Sequence, residues 1–104
     1  MAWIYLLLSG LFEVAFTTSM KFSEGFSNWK GVLGFFVFGA LSFGFLLKSM
    51  QTIDMGTAYA VWAGIGASGT ILMGLILFDD VLNWNKLLFL SFIVIGIIGI
   101  KLSN

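Results

Sequence analysis

Cysteine, histidine and proline are all missing from this chain. The first absence excludes disulfides and thiolate chemistry, and together with the second it removes the usual zinc and haem ligands. No metal and no cofactor is expected. Without histidine, a proton carried near neutral pH has to ride on a carboxylate. Without proline, any break in a helix has to come from glycine. Charge is scarce as well, at 10% of residues where a soluble domain carries about 25%. Five lysines balance five acids, so no basic patch exists and nucleic acid is not an expected partner.

What fills the 104 residues is apolar: 60% are hydrophobic. Four blocks stand out, at about 2–20, 31–47, 55–78 and 84–102. A membrane span needs roughly 17–25 residues, and the fourth block reaches that length only if Trp84, Asn85 and Lys86 begin it. Trp3, Tyr5, Trp29 and Trp84 lie near block ends, as an interfacial aromatic belt requires, whereas Trp62 lies inside the third block. Met1–Met20 lacks a basic leader and three more spans follow, so a cleaved signal peptide is not expected. The reading is an all-α membrane protein, one four-helix transmembrane domain over residues 1–104. It leaves no room for a soluble enzyme.

Glu13 is the only acidic residue inside any of the four blocks, and the only charge away from a block end. A carboxylate in hydrocarbon costs a few kcal/mol on insertion scales, so such a group marks an ion or substrate path by default. Helical spacing puts Ser9, Gly10, Phe16 and Thr17 on or near its face. Gly10 would leave room beside the carboxylate, the hydroxyls are polar, and the Phe16 ring offers cation–π attraction. Gly, Ser and Thr are also ordinary packing residues between membrane helices.

In the third block Tyr59, Trp62 or Ala63, and Gly66 recur at helical spacing. Tyr59 can donate a hydrogen bond to a carboxylate and Trp62 can stack on a cation. Gly64 to Gly69 spells GxGxxG, but a dinucleotide site needs a strand before the motif and a helix after it. Within an apolar span these glycines instead allow a bend or close packing. Ser42, between Gly39 and Gly44, is expected to bond its own helix one turn back. Gly96-Ile97-Ile98-Gly99 is a small-xx-small surface suited to helix contact. With four spans, Lys48 and Lys101 share one side with the termini and Lys21, Lys30 and Lys86 take the other. Orientation follows such asymmetry, and two against three leaves dual topology and a single net orientation both open.

Phe12-Glu13-Val14, Met20-Lys21-Phe22-Ser23-Glu24-Gly25-Phe26, Gly56-Thr57-Ala58-Tyr59-Ala60-Val61-Trp62 and Gly96-Ile97-Ile98-Gly99-Ile100-Lys101 together resemble the small multidrug resistance family of bacterial exporters over essentially the whole chain. The resemblance implies a protein of the bacterial inner membrane working as a dimer of chains inserted in opposite orientations. It implies that the two membrane glutamates share one site where protons and an organic cation compete. By it, Glu13 carries proton and substrate; Ser9, Gly10, Phe16, Ser42, Tyr59, Trp62 and Ala63 line the site. Gly64 and Gly66 form the flexible point of the third span, and the fourth spans, at Gly96 and Gly99, form dimer contact. The partners implied are an organic cation, protons, membrane lipid and a second copy, with an unlike partner chain as the alternative.

Two subtypes compete. The third and fourth spans resemble guanidinium exporters, whereas Thr17-Thr18-Ser19-Met20-Lys21 reads more like exporters of quaternary ammonium and aromatic cations. Position 16 resembles neither, since guanidinium exporters carry tryptophan there and multidrug members commonly carry glycine. Proton-coupled antiport is the expected activity. An incoming cation favours the charged carboxylate and expels the proton. The rivals are a subunit of a paired heteromeric exporter, a non-transporting assembly subunit, and a proteolipid of a rotary ATPase.

Overall fold

A computed structural model describes residues 1–103. They form four helices: α1 (Ala2–Phe22), α2 (Trp29–Ser49), α3 (Met55–Leu77) and α4 (Trp84–Ser103). Each is long and apolar enough to cross a membrane, and at 1.5 Å per residue each spans about the 30 Å of a hydrocarbon core.

The ends fall where capping chemistry puts them. Asn28 Oδ1 accepts the Lys30 N–H at 3.2 Å and starts α2. Asn83 Oδ1 accepts the Lys86 N–H at 2.8 Å and starts α4. The last turns of α1, α2 and α4 take in Lys21, Lys48 and Lys101, which suits the negative end of a helix dipole. The first two helices therefore run a little past the apolar blocks. The ammonium groups bend back over aromatic rings: Lys48 sits 4.7 Å from the Tyr5 ring centre and Lys101 4.9 Å from that of Trp3. That is snorkelling with a cation–π anchor.

α3 lacks a basic last turn and ends differently. Asp79 takes a left-handed φ of 53°, and the N–H groups of Phe78 and Asp80 both reach the Gly74 carbonyl, at 3.1 and 3.0 Å. The pattern is a Schellman-type stop with an aspartate where glycine is preferred.

α1 is the centre of the bundle. It packs along both α2 and α3, while α2 and α3 barely meet and α4 leans mainly on α3, reaching α1 through Lys101 over Trp3. Glycines on α3 set how closely α1 approaches. A Cβ on Gly69 would strike Val14, and one on Gly10 would lie 2.6 Å from Ile65 Cγ2. The space that Gly10 leaves is thus filled by Ile65 rather than kept open beside Glu13. The well-buried apolar side chains, Leu6, Leu46, Ile53, Ala58, Val61 and Trp62, gather toward the end of the bundle that holds the chain's start. No residue of α4 is buried, and a Cβ on Gly96 or Gly99 would meet nothing within 4 Å.

The strained stop at Asp79 makes a stability prediction. Asp79→Gly should stabilise the folded chain by about 0.5–1 kcal/mol, because a left-handed residue without Cβ carries no strain. The measurement is the unfolding midpoint in mixed detergent, and an unchanged or lowered midpoint would refute it.

Candidate functional site

Glu13 lies midway along α1, on the face turned to α3. Gly66 stands opposite, and a Cβ there would come within 2.6 Å of Glu13 Cγ. The carboxylate arm therefore fits a notch that only glycine leaves. Beside it opens a groove of about 440 Å³, lined among others by Glu13, Phe16, Thr17, Trp62, Ala63 and Gly66. Ala67, Thr70 and Ile71 complete its α3 wall. Sequence reading passed over these three, although Ala63, Ala67 and Thr70 follow one another at helical spacing, the same signal that singled out Tyr59 and Trp62.

Two of the polar groups near the carboxylate, Thr17 and Trp62, spend their hydrogens elsewhere. Thr17 Oγ1 donates to the backbone carbonyl of Glu13 at 3.0 Å, its own helix one turn back. Trp62 Nε1 donates to Ser42 Oγ at 2.9 Å. Ser42 Oγ donates to the Ser9 carbonyl at 2.8 Å. Ser9 Oγ in turn donates to the Leu6 carbonyl at 2.6 Å. Ser42 was expected to bond its own helix; it crosses to α1 because both serines are fully buried where α1 and α2 close on each other. One hydroxyl thus joins three helices. The Ser9 carbonyl it reaches is the one that regular helix geometry also pairs with the Glu13 N–H.

The expected site residues separate into layers. Glu13, Phe16, Trp62, Ala63 and Gly66 line the groove. Ser9, Gly10 and Ser42 lie behind it as the packed support that fixes Trp62 and α1. Phe16 leans toward α2, over Gly39, where a Cβ would lie 2.8 Å from its ring. It stacks on Phe35 at 4.7 Å and meets Phe43 edge-on at 6.2 Å. Tyr59 packs at a tilt against Trp62, ring centres 5.6 Å apart, but is 58% exposed and does not line the groove. Gly64 faces the other way from Gly66: a Cβ there would lie 2.7 Å from Ile97 Cδ1 of α4. α3 runs unbroken through both glycines, so here they serve close approach. Gly96 and Gly99 lie on an open groove with Asp54, Thr57, Ile100 and Ser103. Among the described residues no group of three or more His, Cys, Asp or Glu gathers as a metal site would.

Comparison with known proteins agrees with this arrangement. A family model described as Small Multidrug Resistance protein matches residues 1–95. A protein of Yersinia pseudotuberculosis named guanidinium exporter is 41% identical over 104 residues, the whole of both chains. Proteins of the same name from Proteus vulgaris, 39% identical over all of both chains, and from Escherichia coli K12, 40% identical over 100% of this chain and 99% of its own, are similarly close. With four membrane-length helices and full-length relatives of this kind, the chain is a multi-pass bacterial membrane protein and belongs to the small multidrug resistance family.

Proposed function

We propose that this chain exports small organic cations in exchange for protons, with Glu13 as the group both compete for. The observation that carries the reading is a lone carboxylate in an apolar groove, with the Thr17 hydroxyl and the Trp62 indole beside it both donating elsewhere. Such a carboxylate is stabilised only by a positive partner, a proton or a cation. Trp62 and Phe16 add ring faces for the cation. The full-length relatives named guanidinium exporter favour guanidinium-type cargo. Phe16, which has no N–H to brace the carboxylate, favours a wider range that includes quaternary ammonium ions.

The working unit on this reading is two copies inserted in opposite orientations. What supports it is how much of the family's site stays unused within one chain. Tyr59 is turned out, Gly96 and Gly99 present a bare stripe, and α4 buries nothing. A second copy supplies the carboxylate for Tyr59 and the cover for α4, and inverted copies make the two-fold repeat that larger transporters carry within one chain. Gly64 and Gly66 then serve as the point where α3 bends between two states.

The direct test is transport current in proteoliposomes under a proton gradient, with guanidinium compared against a tetraalkylammonium ion. Current with either ion supports antiport, and its identity ranks the substrates. Silence with both, from a chain shown to be folded, would refute self-sufficient export and favour a subunit that needs an unlike partner. Glu13→Gln should abolish proton-coupled exchange, and full antiport in that variant would remove Glu13 from the site. Phe16→Trp should move preference toward guanidinium by roughly ten-fold, the scale of a gained hydrogen bond to a charged group; an unchanged ranking would show that position 16 does not set selectivity. Ser42→Ala should cost about 1–2 kcal/mol of stability and weaken cation binding together, because it frees the Trp62 ring from its brace. Unaltered binding with lowered stability would make the bridge purely structural.

A further inference from the structure

A second cavity lies toward the far end of α1, between that helix, the end of α3 and the connection to α4. It measures about 180 Å³ and is lined by Thr18, Lys21, Met73, Gly74, Phe78 and Asp80, together with Thr17 and Thr70. Thr17 and Thr70 also line the Glu13 groove. The two spaces therefore share a wall, and both shared residues carry a hydroxyl.

The lining is rich in acceptors and holds one charge of each sign, Asp80 and Lys21. Thr17 and Thr18 donate their hydrogens to the carbonyls of Glu13 and Val14, at 3.0 and 2.8 Å, so their oxygens have only lone pairs left to offer. Asp80 adds a carboxylate. Its side chain folds back onto Gly74, where any Cβ would strike Asp80 Oδ2. That places negative charge at the negative end of α3, which has no basic residue in its last turn and is an unfavourable place for it. Lys21 lines the same cavity, but its ammonium rests over the Phe78 ring, 5.8 Å from the centre, and makes no direct ion pair with Asp80, so the carboxylate oxygens keep a free face toward the cavity. A volume of 180 Å³ holds about six waters at ~30 Å³ each. That admits a compact cation with a few waters and excludes a large aromatic one.

We propose that this cavity is an anteroom to the Glu13 groove, in which Asp80 and the lone pairs of Thr17, Thr18 and Thr70 collect small hydrogen-bond-donating cations such as guanidinium. Asp80 acts there by raising the local cation concentration, and the Thr17–Thr70 pair is the neck through which the cation passes inward. The inference deepens the cation-export reading and rests on it for its cargo, but the cavity's charge preference can be measured without transport.

The chain has no cysteine, so Thr70→Cys introduces a single thiol at the neck. In proteoliposomes it should react about 3–10-fold faster with a cationic methanethiosulfonate than with an anionic one of similar size, the low end of electrostatic focusing. Adding Asp80→Asn should remove that preference, and guanidinium chloride should slow the cationic reagent. Thr17→Cys, on the opposite wall, should repeat the pattern if Thr70→Cys folds poorly. A thiol that stays unmodified, or a preference that survives Asp80→Asn, would overturn the anteroom. In transport, Asp80→Asn should raise the guanidinium KM about 3–10-fold and flatten its dependence on salt; an unchanged KM and salt slope would also overturn it. Should the unaltered chain carry no guanidinium, the export reading fails, and the thiol measurements still decide whether the cavity selects cations.

Discussion

A carboxylate held within a membrane-spanning helix must be given space and company, and the bundle is arranged around that demand. Glu13 gets its space from α3, where Gly66 leaves the gap its side chain enters. The close approach that makes this fit is itself made by glycine: Gly10 receives Ile65 and Gly69 receives Val14. Three small residues thus zip α1 against α3 above, at and below the acid. Between lipid-facing helices, where burial of apolar surface drives little association, such small-residue contacts are the main source of adhesion. The same stripe that holds the bundle together also shapes the groove.

The hydrogen bonds follow the same logic. In hydrocarbon an unpaired donor is costly, and the Trp62 indole would be one. Ser42 accepts from it and passes its own proton to the Ser9 carbonyl. The result is a tie between α3, α2 and α1 directly behind the groove. With its N–H committed, Trp62 has only its ring face to offer the groove. Recognition within one chain therefore rests on charge and π attraction, which are weakly directional, rather than on a fork of donors. That suits cargo defined by being a cation more than by an exact hydrogen-bonding pattern.

Much of this was legible in the residues. Four apolar blocks and one internal acid fixed the helices and the centre of the site, because length and charge are strong signals in a membrane chain. Helical spacing put Phe16, Trp62, Ala63 and Gly66 near Glu13, and in the structure they line one groove with it. Spacing could not tell the front of the site from its support. Ser9, Gly10 and Ser42 share the right region but lie behind the groove, since helix rotation and side-chain rotamers decide which oxygen meets which carbonyl. It could not foresee that Ile65 fills the gap at Gly10, because that depends on how two helices interlock. Spacing also passed over Thr70, one helical turn beyond Gly66 on the α3 wall of the groove.

The commitment of Thr17 and Trp62 has a further consequence for coupling. Thr17 bonds the backbone, Trp62 bonds Ser42, and Phe16 has no donor at all. A charged and empty Glu13 then gains no hydrogen bond from these three neighbours, and the Thr70 hydroxyl is the one neutral donor left on the groove wall. Its charged form depends on a cation, and its neutral form carries the proton. On the antiport reading this makes the vacant, charged site the least stable of the three states. A carrier that rarely visits that state has little chance to change orientation empty, and so little chance to let the gradient run down without moving cargo. The donors withheld from the carboxylate contribute to tight exchange as directly as the groups presented to it.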